Sequence, residues 1–202
     1  PQGTLYGRNA VGGAIKYVTA RIGTVPSMDI RLSAGSYGQI DAVVKANAPI
    51  TDSIRLSIAG ATLNRDGYGK NFTTGRDNYN KKVMALRGTL ELLPSDGVFI
   101  RVSGDYTFDK SNPVAGWRPY PGGFSHTPVT SNVYDTYAGA ATNASTLGIG
   151  GRNQVEAGGV YGLIEVQASE NLTLKSITAW RKDDTKSVID FDSLAIDDFD
   201  AP

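Results

Sequence analysis

The chain has 202 residues, in which 20 Lys and Arg balance 20 Asp and Glu, with a single His and no Cys. Zero formal net charge argues against a nucleic-acid-binding domain, since such domains usually carry a basic excess. The lack of Cys excludes disulfides, thiolate metal sites and cysteine nucleophiles, and one His excludes a histidine metal cluster. No run of about 18 apolar residues occurs, which excludes a membrane-spanning helix but not membrane-spanning strands.

The N-terminal stretch is rich in glycine and ends in a short strand-like run, Ala14-Ile15-Lys16-Tyr17-Val18-Thr19. Glycine permits tight turns and close approach of backbones, but neither of the phosphate-binding glycine patterns occurs here. The chain opens on Pro1 without a preceding Met, and we expect it to be a piece of a longer protein.

From residue 27 onward, apolar and polar side chains alternate in one segment after another. Over 40–48, Ile40, Ala42 and Val44 share one face, whereas Asp41 and Lys45 share the other. Side chains of a strand point alternately to two faces, so the pattern predicts amphipathic strands and not helices. The predicted strands are 28–37, 40–49, 54–63, 82–92, 98–108, 155–167, 172–182 and 186–192.

The connections between these segments alternate in length. Short turns such as Pro94-Ser95-Asp96-Gly97 contain the usual turn formers, and long loops are expected near 64–81, 109–153 and 183–202. Short turns at one end and long loops at the other are typical of an outer-membrane barrel. A soluble antiparallel β-protein with one face on a core would also show alternation, and it is the competing interpretation.

A resemblance adds to this pattern at the N-terminal end. The turn Pro1-Gln2-Gly3-Thr4 is followed by an aromatic-glycine pair, a Gly-Gly pair and a short strand ending in Val-Thr. This order resembles the end of the plug domain of TonB-dependent outer-membrane receptors, although Lys16-Tyr17 stands where that family commonly has Asn and a hydrophobic residue. The residues that carry the resemblance are Pro1, Gly3, Thr4, Tyr6, Gly7, Gly12, Gly13, Ile15 and Thr19.

The resemblance implies an all-β fold in which the end of a plug domain (1–22) precedes the first part of an antiparallel up-and-down transmembrane β-barrel (23–202). In that family a barrel of about 22 strands encloses the plug. This chain would supply seven or eight of those strands, with the three long loops on the extracellular side.

The function implied by the resemblance is active uptake of a scarce nutrient, often an iron–siderophore complex, across the outer membrane of a Gram-negative bacterium. The implied partners are a small-molecule ligand such as a metal chelate, the lipid bilayer with its lipopolysaccharide, and the inner-membrane TonB complex. That complex would pull on a plug segment outside this chain. Binding followed by energised gating needs no cofactor and is not catalysis.

The polar faces of the strands would line the lumen, because Arg or Lys facing lipid near the midplane costs about 2–4 kcal/mol. Apolar residues such as Ile30, Leu86 and Val102 would contact lipid. We expect the polar side chains either to hold the plug or to form a solvated wall. The predicted lumen-facing residues are Arg31, Asp41, Lys45, Arg55, Arg87, Glu91, Arg101 and Asp105.

The long loops carry many aromatic side chains and several basic ones. Aromatic rings give large rigid contact areas and Arg pairs well with carboxylates, which suits capture of an aromatic or anionic chelate. Packing of the loops on one another is the alternative. The candidate ligand contacts are Tyr68, Phe72, Tyr79, Trp117, Arg118, Tyr120, Phe124 and His126.

No metal site and no catalytic set is expected. His126 is the only imidazole, and the Asp residues of 183–202, seven against one Lys, lack the order of an EF-hand loop. Two other classes of protein compete with the transporter. A passive porin or adhesin barrel would lack a plug, so residues 1–19 argue against it, and a soluble β-sandwich binding module would not place charged residues on every strand.

Overall fold

Strands dominate the computed structural model of the chain, which describes residues 18–73, 75–112, 117, 119–120, 128–137, 154–186, 189–190 and 200–201. The strands are β1 (Ser27–Gly35), β2 (Gln39–Pro49), β3 (Ile54–Arg65), β4 (Gly69–Lys70), β5 (Asp77–Asn78), β6 (Lys81–Ser95), β7 (Val98–Asp109), β8 (Gln154–Ser169), β9 (Leu172–Lys186), β10 (Ile189–Asp190) and β11 (Asp200–Ala201). In this part of the chain, no helix is long and apolar enough to cross a membrane.

The long strands form one seven-stranded antiparallel sheet in the order β1-β2-β3-β6-β7-β8-β9. Each long strand pairs with the next long strand along the chain. The small β4–β5 pair lies within the connection from β3 to β6. The predicted all-β, up-and-down antiparallel arrangement is confirmed. The sheet is not closed, because β1 and β9 each pair on one side only.

The prediction of an eighth strand over 186–192 is wrong for this sheet. The ladder between β8 and β9 continues to the pair Gln154↔Lys186, so the last long loop begins later than 183. Beyond it, β10 pairs with β11 instead of joining the main sheet. Alternation over so few residues indicates a strand but fixes neither its ends nor its partner.

The connections divide between the two ends of the sheet. At the short-turn end (50–53, 96–97 and 170–171) the chain reverses tightly, and Gly97 takes a left-handed φ of +81°. A Cβ at this position would lie 3.0 Å from Cβ of Gln167, so the turn needs glycine for both reasons. The other end, here called the long-loop end, carries the two long connections, 66–80 and 110–153, and the three-residue turn 36–38.

The register places the predicted lumen-facing residues on one side of the sheet, here called the polar face. Direct cross-strand partners share a face, and Arg55 pairs with Glu91, which pairs with Arg101 on the next strand. Arg87 likewise lies opposite Asp105. The opposite side, the apolar face, carries Ile30, Leu32, Ile40, Val44, Ile54, Leu56, Ile58, Met84, Leu86, Ile100 and Val102.

Burial differs between the two faces of the sheet. Glu91, Arg101 and Ser103 are buried on the polar face, whereas Leu86 on the apolar face is 53% exposed. Among the described residues, the buried hydrophobic side chains are Ile22, Phe99 and Leu163. The small core therefore lies on the polar face, towards the short-turn end of the sheet.

Candidate functional site

A short segment, residues 19–22, crosses the polar face and is here called the anchor segment. Arg101 donates from Nη1 to the carbonyl of Thr19 at 3.2 Å and from Nη2 to that of Ala20 at 3.1 Å. The amide of Ile22 donates to Oε2 of Glu91 at 3.0 Å. These strand side chains therefore bind main-chain atoms of the segment.

Glu91 and Arg101 form a buried ion pair directly beneath the segment. Nε and Nη2 of Arg101 donate to Oε1 of Glu91 at 2.8 and 2.5 Å. The side chain of Arg101 is 6% exposed and that of Glu91 is 0% exposed. Burying two charges has a large desolvation cost, so such a pair needs its remaining donors and acceptors satisfied. The main-chain groups of the anchor segment supply those partners.

Two further arginines of the polar face reach the same segment. Arg55 donates from Nη1 to the carbonyl of Ile22 at 3.0 Å, and Arg87 approaches Oγ1 of Thr19 at 3.3 Å. The side chain of Ile22 is itself buried. Of the predicted lumen-facing residues, Arg55, Arg87, Glu91 and Arg101 are thus brought together at one place.

The side chain of Arg21 contacts a different part of the sheet, formed by Phe99 and Glu165. Its guanidinium lies 4.2 Å from the ring centroid of Phe99, and its Nη2 pairs with Oε2 of Glu165 at 2.9 Å. Lys175 pairs with the other oxygen of Glu165 at 2.5 Å. Sequence reasoning missed these contacts, although Phe99 offered a signal because it interrupts the alternation of β7 between Val98 and Ile100.

The other predicted lumen-facing residues lie away from the anchor segment. Asp105 pairs with Arg181 through two bonds of 2.9 Å, across Gly159, which has no side chain to intervene. Asp41 accepts from Gln39 and from the amide of Asn64. The structure brings neither Arg31 nor Lys45, both exposed, to the anchor segment.

A second group of contacts lies at the long-loop end, in a tyrosine cluster formed by Tyr37, Tyr68, Tyr79 and Tyr134. Tyr68 stacks on Tyr79 with ring centroids 5.0 Å apart, and Tyr134 meets both rings edge-on at 4.9 and 5.6 Å. Tyr37 lies 5.7 Å from Tyr68. The guanidinium of Arg65 lies over Tyr68 at 5.1 Å, and its Nη2 donates to the carbonyl of Tyr79.

Main-chain hydrogen bonds join the two long loops beside the cluster. Thr136 donates to the carbonyl of Lys70 and accepts from Phe72, both at 2.9 Å, which forms a parallel bridge. Gly69 permits this approach, because a Cβ there would lie 2.1 Å from the carbonyl oxygen of Tyr134. Part of the longer loop, residues 128–137, therefore packs on β4.

Two members of the cluster have unusual backbones. Tyr37 and Tyr79 adopt left-handed φ values of 61° and 62°, which bulky residues rarely take. Burial raises the pKa of Tyr79, and the phenols of Tyr68 and Tyr134 act in the same direction. The neutral phenol is thus the favoured form in this environment.

The remaining candidate ligand contacts are divided between exposed and undescribed positions. Phe72, Trp117 and Tyr120 are exposed, and Trp117 donates to Oγ1 of Thr130 at 3.1 Å. Arg118, Phe124 and His126 lie outside the described residues, as do Pro1, Gly3, Thr4, Tyr6, Gly7, Gly12, Gly13 and Ile15. No group of His, Asp and Glu that could hold a metal ion occurs in the described ranges.

The polar-face site offers fixed donors and acceptors to an extended main chain. Buried charges, a buried Ile and an ion pair together fasten four consecutive residues, 19–22, to the sheet. Comparison with protein-family models and with curated proteins found no match.

Proposed function

We propose that the chain is part of a TonB-dependent outer-membrane receptor, in which the anchor segment is the exit from the plug domain and the sheet is part of the barrel wall. The observation that carries this proposal is the fastening of residues 19–22, at the end of the plug-like motif, to the polar face by Arg55, Glu91 and Arg101. A passive pore has no plug and needs no such fastening.

The apolar face supports placement in a membrane. Along β7 the residues of this face run from Val98 to Phe108 without a charged side chain. At about 3.4 Å per residue and a tilt of about 40°, this run spans roughly 26 Å, close to the apolar band of outer-membrane barrels. A soluble monomer rarely exposes so continuous an apolar surface.

The open edges fit the same proposal. β1 and β9 leave their outer hydrogen-bonding groups unpaired within the described sheet. Unpaired strand edges are not tolerated in the hydrocarbon region, so a membrane protein closes them with further strands. In the whole receptor, additional strands would continue the sheet from β9 and return to β1.

In this receptor the long-loop end faces the cell exterior, and the exposed rings of Phe72, Trp117 and Tyr120 meet the ligand there. The ligand is a small nutrient complex such as a metal chelate. The inner-membrane TonB complex pulls on the plug, the plug rearranges, and the ligand passes along the polar face. The apolar face contacts lipid and, in the outer leaflet, lipopolysaccharide.

Membrane placement is tested with two neighbouring substitutions on β6. Leu86→Arg puts a charge on the apolar face, whereas Ala85→Arg puts the same charge on the polar face. We expect Leu86→Arg to lower the free energy of unfolding in lipid vesicles by about 2–4 kcal/mol, and Ala85→Arg to have a much smaller effect. Equal effects of the two substitutions would contradict contact of the apolar face with lipid.

Energised uptake is tested in whole cells with radiolabelled ferric siderophores. Deleting the gene should abolish accumulation of the cognate chelate, and dissipating the proton-motive force should abolish it equally. Loss on deletion, combined with indifference to the proton-motive force, would identify a passive pore instead. Indifference to both treatments across a panel of chelates would remove the metal-chelate assignment.

A further inference from the structure

The anchor segment touches the sheet over a short stretch bounded by exposed residues. Val18 before it is 77% exposed and Val25 after it is 72% exposed, whereas Ile22 between them is buried. β1 begins only at Ser27. Within residues 18–26, the chain is therefore held at one point before it enters the sheet.

The next holding point along the chain is β1, which a pull would load from its end. Among the described strands, β1 pairs with β2. A pull arriving from the N-terminal side would act first on the terminal pair, Ser27↔Asn47. Hydrogen bonds of a ladder that is opened from its end break one after another, so little force is needed.

The anchor segment is fastened differently. Its contacts come from Arg55 on β3, Glu91 on β6, Arg101 on β7 and Glu165 on β8, which lie inside the sheet and not at its edge. A pull on residue 18 would load these bonds together. Because most of them end on main-chain atoms, their strength depends little on which side chains occupy positions 19 and 20.

We infer that residues 19–22 act as a tension stop, which takes up a pull on the preceding chain and keeps it from reaching β1. This inference rests on the proposed function, since the pull is the one that the TonB complex applies to the plug. During transport, Ile22 and the wall stay together. Glu91 and Arg101 are the positioning residues of this stop.

The experiment pulls the full protein, embedded in a lipid bilayer, from a tether at Val18→Cys. The chain has no native Cys and Val18 is exposed, so the new thiol is a single accessible attachment point within it. We expect one force peak before any strand leaves the sheet. Its release should lengthen the tether by up to about 30 Å, the extended length of the residues between 18 and β1.

Glu91→Gln and Arg101→Gln should each abolish this peak, so that β1 leaves at the first load. Lys45→Gln is the matched control, because it neutralises a charge of the polar face that does not touch the anchor segment, and it should keep the peak. If Glu91→Gln does not fold, Arg55→Gln removes one bond to Ile22 and should lower the peak force.

An unchanged peak in the folded Glu91 and Arg101 variants, or departure of β1 before the anchor releases, would overturn the inference. The measurement requires neither ligand nor the TonB complex. A receptor that shows the peak but takes up no chelate would retain the tension stop and lose the proposed function. Energised uptake by a protein without the peak would retain the proposed function and overturn the tension stop.

Discussion

The two ends of the sheet hold their loops by different forces. Near the short-turn end, the anchor segment is fixed by Glu91 and Arg101, both buried. At the long-loop end, the tyrosine cluster holds its loops while Tyr37 and Tyr134 remain exposed. Removing one charge of a buried pair leaves its partner buried and uncompensated at a large cost, whereas rings gain contact energy even at a partly wet surface.

Exposed ion pairs of the long-loop end illustrate the same contrast. Lys70 and Asp77 pair on β4 and β5, where their side chains are 62% and 36% exposed. Pairs of this kind contribute about 0–1 kcal/mol. The loops there depend on ring packing and main-chain bridges. Loss of a ring should therefore destabilise the long-loop end, whereas loss of a buried charge should destabilise the anchor site.

The largest effect is expected from Glu91→Ala. It leaves Arg101 buried without its counter-charge and should lower the free energy of unfolding by about 3–5 kcal/mol. Denaturant titration of the full protein in lipid vesicles measures this. Glu165→Ala is the control, since its partners Arg21 and Lys175 are more than half exposed, and we expect less than about 1 kcal/mol. A larger effect at Glu165 would contradict the contrast between buried and exposed pairs.

A smaller and more local effect is expected from Tyr68→Ala. The ring of Tyr68 meets three others, and each aromatic pair is worth about 0.5–1.5 kcal/mol beyond its buried area. Limited proteolysis should cut loops 66–80 and 128–137 faster, while the sheet unfolds at unchanged denaturant concentration. Tyr68→Phe should behave as the unsubstituted protein, and Tyr120→Ala, an exposed ring outside the cluster, should leave cleavage unaltered.

The cluster should also respond to alkaline pH. The pKa of Tyr79 is raised from its ordinary value of 10.0 mainly by burial, so the phenol ionises in the opened loop before it ionises in the packed one. Loop stability is then fully present below pH 10.0 and falls as pH rises through the higher folded pKa. Ultraviolet absorbance of the phenolate, followed alongside proteolysis, measures this. The same pH profile in Tyr79→Phe would contradict the assignment to Tyr79.

The smallest effects are expected from charges that belong to neither end. Arg31→Gln and Lys45→Gln alter exposed residues of the polar face, and each should change the free energy of unfolding by less than about 0.5 kcal/mol. Denaturant titration again provides the measurement. A loss comparable with that of Glu91→Ala would mean that the whole polar face, and not the anchor site, stabilises the fold.

Alternation predicted the strands and faces well, because a period of two residues requires no knowledge of the partner strand. It did not predict which charges meet. A register slip of two residues would keep Glu91 and Arg101 on the polar face yet separate them, since a face is preserved by any even shift. The pair Glu91↔Arg101 is set by the turn between β6 and β7, and alternation carries no information about that turn.

The long-loop end was harder to predict for another reason. Tyr68 and Tyr79 were singled out for their residue type as candidate ligand contacts, with loop packing as the alternative. The structure packs them on each other and on Tyr134, which lies far along the chain. Loops have no periodicity from which such contacts follow. Ligand contact by these rings stays a prediction, while the packing explains why both are more than half buried.

The left-handed backbones of Tyr37 and Tyr79 have a consequence for local opening. A bulky residue in this region costs on the order of 1–3 kcal/mol, which neighbouring contacts must offset. Ring contacts of the tyrosine cluster are of similar size, so closed and open forms of these loops lie close in free energy. Amide protons of the long-loop end should therefore exchange with solvent long before those of β6 and β7, as one cooperative unit above an intact sheet.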